Sequence, residues 1–200
     1  MLFRSPNVTI YAPVTFAGLA VSVRKALELG TPVAIRYPNG GEDERIRDVF
    51  YADGEPDDVS IRESNPQNHA VPAAIIITHG RITREALTAR ERLAAEGIPV
   101  GILLCEYLKP YDRLAEDIQG RLPAGVPLLF AEEEIRAGGF GMMLSDSMWR
   151  KGALDGRRYA ILATDDSFVS QDKPEPILRT AGVDAEAMVA EIKALIGARV

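Results

Sequence analysis

Thr31-Pro32-Val33-Ala34-Ile35-Arg36-Tyr37-Pro38-Asn39-Gly40-Gly41 is a short apolar run that ends in an arginine and then breaks at a proline and two glycines. An apolar strand that carries a guanidinium to its C-terminal end, with a turn directly after it, is how α/β proteins present a cation to an anionic ligand. The preceding segment supports that fold. Residues 8–11 form a short β-rich run ending at Pro13, and residues 15–29 place Leu19, Val23, Ala26 and Leu27 on one helical face closed by Gly30. A strand, helix and strand in under forty residues predict a right-handed parallel crossover.

Downstream of Asn39 the composition changes. Residues 40–45 are polar and charged, and residues 49–51 and 59–62 look like strands flanking Ala52-Asp53-Gly54-Glu55-Pro56-Asp57-Asp58. This predicts a β-hairpin inside a connector at residues 42–70. From Ala73 onward apolar strands at 75–78, 100–104, 128–131 and 159–163 alternate with helices at 83–96, 112–121 and 140–149, and two more helices follow at 176–180 and 184–196. Continuous aliphatic runs belong to strands buried on both faces. The expected fold is α/β, a three-layer domain with a mainly parallel sheet and helices on both faces.

The 200 residues are 46% hydrophobic and 26% charged, with a net charge of −6. Those proportions fit a soluble globular chain with a sizeable core. An acidic balance argues against nucleic-acid binding, because a phosphate-tracking surface needs a basic excess. No apolar run approaches the roughly 18–20 residues needed to cross a bilayer, and no signal-peptide pattern opens the chain. Cys105, the single cysteine, lies in the apolar run 100–105 and reads as a core thiol suited to a reducing cytoplasm. His69, His79 and Cys105 have no metal-ligand spacing.

Several segments could carry chemistry. Leu108-Lys109-Pro110-Tyr111-Asp112 follows a strand and opens a helix, with Asp112 as the expected cap. Ala137-Gly138-Gly139-Phe140-Gly141 follows the acidic run Glu132-Glu133-Glu134. Two readings stand for it, a tight strand-to-helix turn and an anion cradle at a helix N-terminus. The three glutamates read as a solvated strand end rather than a metal site, since adjacent side chains diverge. His79 reads as a satisfied loop histidine. Met142, Met143, Met148 and Trp149 read as packing residues, against the core or a partner subunit.

Taken in order, these landmarks resemble the C-terminal portion of 1-deoxy-D-xylulose-5-phosphate synthases, in the transketolase superfamily. The matching segments are Pro6-Asn7-Val8-Thr9-Ile10-Tyr11-Ala12-Pro13, Ala34-Ile35-Arg36-Tyr37-Pro38, Leu108-Lys109-Pro110, and Glu132-Glu133 with Ala137-Gly138-Gly139-Phe140-Gly141. Asp166-Ser167-Phe168-Val169 and Gly182-Val183-Asp184-Ala185-Glu186 follow. The resemblance implies that residues 1–41 are the terminal β-α-β piece of a pyrimidine-binding domain, that 42–70 are the connector, and that 71–200 are a transketolase C-terminal domain. It implies a cytoplasmic homodimer that joins pyruvate, with loss of CO2, to glyceraldehyde 3-phosphate for isoprenoid and thiamine biosynthesis. Thiamine diphosphate and Mg2+ would be bound by domains outside this chain, which alone is expected to be inactive and to need those domains as partners, in the same polypeptide or another.

Arg36 is the one site residue the resemblance transfers, as a contact to the substrate phosphate. A fixed fork of N–H donors suits that role, while pairing with a nearby carboxylate is the rival reading. Two positions depart from the family pattern. Its second arginine falls on Asn39, and the arginine before its Phe-Val-Lys-Pro segment falls on Glu106. A carboxylate there would repel phosphate, so the substrate differs, another cation substitutes, or the chain is a divergent paralogue. A subunit of a split transketolase or 2-oxo acid dehydrogenase E1-type enzyme, and a non-catalytic assembly module, are the alternatives. The first forty residues are expected to leave strand edges and apolar helix faces bare.

Overall fold

The computed structural model describes residues 2–38, 41–54, 56–66, 71–167 and 174–197. Asn39, Glu55, residues 67–70 and the Phe168-Val169 landmark lie outside the described residues.

The larger sheet is built from β3 (Ile61–Ser64), β4 (Ala74–Thr78), β5 (Val100–Cys105), β7 (Leu128–Ile135) and β8 (Tyr159–Thr164), in the order β3-β5-β4-β7-β8. All pairs are parallel except β3 with β5. β4 is central, and its Ile75-Ile76-Ile77 run is buried throughout. Side chains alternate across a strand, so this run feeds two cores at once. Ile76, Ile102, Leu104 and Leu129 pack on one face beneath α3 (Thr83–Ala95) and α7 (Ala185–Gly197). Ile75, Ile77, Leu103 and Phe130 pack on the other beneath α4 (Tyr111–Gln119) and α5 (Phe140–Arg150). This is the expected three-layer α/β arrangement. Each fully buried large side chain contributes about 1.5–3 kcal/mol relative to exposure.

The connector differs from expectation. Residues 49–51 are not a strand, and no hairpin forms with 59–62. They close α2 (Glu44–Phe50), whose cap Asp43 accepts the N–H of Arg45 at 3.0 Å and of Ile46 at 3.3 Å. Ile46 and Phe50 lie four apart and are buried against the α3 face, and that apolar period decides for a helix. β3 pairs instead with β5, Ile61 opposite Cys105.

A second sheet of three strands has the order β2-β1-β6, from β1 (Thr9–Tyr11), β2 (Val33–Ile35) and β6 (Tyr107–Lys109). β1 and β2 are parallel and joined by α1 (Phe16–Leu29), while β6 adds to β1 antiparallel. Thr15 caps α1 by accepting the Gly18 N–H at 3.0 Å, and Gly30 ends it at φ 63°, the left-handed region glycine tolerates. Ile10 and Tyr11 share the α4/α5-side core, so the N-terminal unit and the larger sheet pack as neighbours. Near the end, α6 (Pro174–Thr180) precedes α7. Asp112 sits in the first turn of α4 rather than at its cap, and binds Ser147 Oγ at 2.5 Å.

Candidate functional site

A crevice of about 470 Å³ opens where the two sheets meet, lined by residues from four strand ends. Ala12 follows β1, Arg36 follows β2, His79 follows β4, and Glu133 lies in the distal part of β7. Gly80 and Arg81 of a 3-10 turn and the Tyr37-Pro38 segment complete it. The carboxyl ends of parallel strands are where open α/β sheets bind ligands.

The geometry is set by an irregularity in β7. Pairing with β8 runs from Leu128 to Ala131 and resumes only at Ile135 opposite Thr164, so the three glutamates lie in the bulged stretch. Bulges re-aim side chains, and here adjacent carboxylates go to different places. Glu132 is fully buried and accepts the N–H of Phe140 at 2.6 Å and of Gly141 at 2.8 Å. Its two oxygens thereby satisfy two of the backbone donors left open at the N-terminal end of α5. Of the two readings of the glycine-rich segment, the tight turn is the one found, because the chain's own carboxylate fills the anion cradle. A Cβ on Gly139 would stand 2.5 Å from the Ile135 carbonyl and 2.6 Å from the Glu132 carboxylate, so glycine is required there by close approach.

Glu134, also expected in solvent, is drawn inward. It pairs with the Arg36 guanidinium and lies 3.3 Å from His79 Nε2, with its side chain only 16% exposed. Neither Arg36 Nη1 nor His79 Nε2 meets Glu134 with the alignment of a full hydrogen bond. Phe3 stacks beneath Arg36 at 5.1 Å, and Phe140 meets the His79 ring edge-on at 4.7 Å. His79 thus lies buried at the strand end, with Glu134 and the Phe140 ring against it. Burial pushes Glu132 up to about 8, opposed by the Gly141 and Phe140 N–H groups and aided by the charge of Glu134. Burial would also raise Glu134, but His79 and Arg36 outweigh it and hold its carboxyl at about 2. Of two carboxylates on one side of a strand, one keeps its charge and the other takes the proton.

His79, Glu132 and Glu134 place ligand atoms within 4.8 Å of one another, the one metal-capable cluster among the described residues. It does not fit Mg2+. Glu132 is spent on two backbone donors, and a cation would have to expel Arg36 from Glu134.

Glu106 is not in the crevice. It is buried 2.5 Å from the Tyr51 hydroxyl, which donates to it, and 3.0 Å from Arg62 Nε. Burial raises its pKa, while Tyr51 and Arg62 work to lower it. Its carboxyl group is matched internally by Tyr51 and Arg62. Cys105 is buried as expected, and burial pushes its thiol well above the ordinary range. Met148 is buried, Met143 packs partly, and Met142 and Trp149 lie exposed on α5. Sequence reading missed Arg81, which enters the crevice from the turn after β4 and donates Nε to Glu133 at 2.8 Å.

The family described as transketolase, C-terminal domain, matches residues 67–188. This chain belongs to the transketolase C-terminal domain family. Relatives include 1-deoxy-D-xylulose-5-phosphate synthases from Clostridium perfringens, 28% identical over 90% of this chain and 28% of the relative, and from Magnetococcus marinus, 29% identical over 96% and 29%. The chain therefore spans under a third of the length of the curated relatives it matches. A solved structure titled split gene transketolase, inactive beta4 tetramer, aligns over 98% of this chain and 60% of its own with a TM-score of 0.72 at 24% identity, a likeness of fold. None of the helices among the described residues is long and apolar enough to cross a membrane.

Proposed function

We propose that this transketolase C-terminal domain protein serves a deoxyxylulose-phosphate-synthase-like enzyme, one that converts pyruvate and glyceraldehyde 3-phosphate to deoxyxylulose 5-phosphate and CO2. The observation that carries the reading is the end-to-end similarity to synthases, 90% of the chain or more in each relative quoted. In this reading thiamine diphosphate and Mg2+ sit in the remainder of the relatives' length, and no residue of this chain holds them. The chain contributes Arg36 at the phosphate end of the substrate and a scaffold for dimer contacts. A guanidinium at a strand end, 31% exposed and opening on a crevice, supports the phosphate role. Glu106 is held by Tyr51 and Arg62 and does not line the crevice, which is compatible with that role.

A second reading has one specific support, the structural neighbour whose title names a split-gene transketolase. There the chain is one subunit, and a partner polypeptide carries the cofactor domains. An antibody against this chain, used on source-cell extract, separates the cases. A band near 21.8 kDa with a co-purifying partner supports the split subunit, and a band about three times heavier supports one long polypeptide.

The phosphate role is tested in the assembled enzyme. Arg36→Ala is expected to raise the KM for the phosphorylated aldehyde at least about tenfold, since charge-assisted bidentate contacts are among the stronger hydrogen bonds. An unchanged KM for that substrate would sink the assignment.

A further inference from the structure

A second arginine lines the crevice beside Arg36. Arg81 and Arg36 both line it, and both also line an adjoining cavity of about 280 Å³ together with Glu133 and Glu134. Each arginine has an internal carboxylate partner, but the two pairs differ in depth. Arg36 is fixed between Glu134, the buried His79 and the Phe3 ring. Arg81 is 38% exposed and its partner Glu133 is 26% exposed. A pair that open to water is worth only about 0–1 kcal/mol and is readily exchanged. A phosphate dianion offers both guanidinia several acceptor oxygens at once, in the planar two-point geometry arginine favours.

We propose that Arg36 and Arg81 form a two-guanidinium clamp for the phosphate of a phosphomonoester substrate, with Arg81 exchanging Glu133 for the ligand when the crevice fills. This rests on the reading of Arg36 as a phosphate contact. It adds a residue at a position that no family landmark marks, in a chain where the two other expected cations are Asn39 and Glu106. The backbone is arranged for it. Gly80, at φ 63°, turns the chain at the end of β4, so the next residue enters the crevice from the side of the larger sheet. Arg36 enters from the smaller one. The clamp therefore spans the junction of the two sheets. The groups facing it are Arg36, Arg81 and His79 against Glu133 and Glu134. Swinging Glu133 away leaves two guanidinia facing one carboxylate, a net positive charge that favours an anion.

The test is calorimetric titration of inorganic phosphate, glyceraldehyde 3-phosphate and pyruvate into the chain and three variants. Arg36→Gln and Arg81→Gln should each weaken binding of both phosphates about tenfold, as loss of a charged hydrogen-bond partner does. Glu133→Gln should act in the opposite sense. It frees Arg81 from competition and should tighten phosphate binding up to about fivefold, the value of an exposed ion pair. A purely structural role for Arg81 would not produce that gain, and an unchanged melting temperature for Arg81→Gln confirms intact folding. If Arg36→Gln weakens binding while Arg81→Gln and Glu133→Gln do not shift it, the clamp is overturned and the Arg36 reading survives. If pyruvate binds as tightly as phosphate, the phosphate assignment is overturned. If the unaltered chain shows no saturable phosphate binding, the clamp is overturned, while the Arg36 reading is decided by the KM of Arg36→Ala in the assembled enzyme.

Discussion

The unit β1-α1-β2 and the unit β4-α3-β5 are made from the same parts in the same order, yet only the second covers its helix. α3 buries Ala86, Leu87, Ala89 and Leu93 between the large sheet and α7. α1 buries little beyond Gly18, Val21 and Ser22, and leaves Phe16 at 66% and Leu27 at 81% exposure. A strand-helix-strand unit is therefore not stable by its pattern alone. It needs a further layer, which the large sheet has in α7 and the small one lacks among the described residues. The crevice lies at the boundary between the finished region and the unfinished one.

The comparison predicts a steep gradient of mutational cost. Phe130 lies fully buried in β7, and truncating it to alanine should cost about 3–5 kcal/mol, read as a lower urea midpoint. A comparable loss from Phe16→Ala on α1 would break the contrast. Next comes the joint between α5 and β7. Gly139→Ala forces a Cβ to within 2.6 Å of Glu132 and should destabilise by about 1–3 kcal/mol, with near-ultraviolet circular dichroism reporting the disturbed aromatic packing of Phe140 and His79.

A third effect is linked to pH. Glu132 is raised to about 8 in the folded chain, above its unfolded value near 4.5. A raised carboxyl contributes stability that is fully present below about 4.5 and is lost as pH rises through about 8. The slope is at most about 1.4 kcal/mol per pH unit for one proton. Glu134 runs the other way, lowered to about 2 by His79 and Arg36 against the burial that would raise it, so its contribution is present above about 4.5 and lost only as pH falls toward 2. Between pH 5 and 8 stability should fall as pH rises, with Glu132 and the likewise raised Glu106 both contributing, and Glu132→Gln should make the slope shallower. A variant that keeps the slope would show that the proton resides elsewhere.

The layers were legible in sequence because the central strands are aliphatic runs with proline or glycine close by, as in Ala74–Thr78 and Val100–Cys105. Arg36 was legible as a cation at a strand end. The α2 segment was misread although Ile46, Val49 and Phe50 carry a helical period, because Asp-Gly and Glu-Pro nearby imitate a hairpin turn. The glutamates were misread for a different reason. Alternation predicts that Glu132 and Glu134 share a side, but only the bulge and the arrival of α5 determine that this side is interior. Arg81 has no local signature, since its role depends on β2 from another sheet meeting the turn after β4.

The smallest expected effect on folding is also the sharpest test of the bare helix. Leu27 contacts little, so Leu27→Glu should change the unfolding free energy by no more than about 0.5 kcal/mol, as surface substitutions do. A charge there should nonetheless oppose whatever apolar surface covers α1. Exposed apolar patches drive association, so the unaltered chain should sediment with a concentration-dependent mass that Leu27→Glu lowers. If the variant unfolds instead, α1 is already packed and the contrast between the two units is wrong. If mass and stability both stay put, the N-terminal unit tolerates its open face unaided.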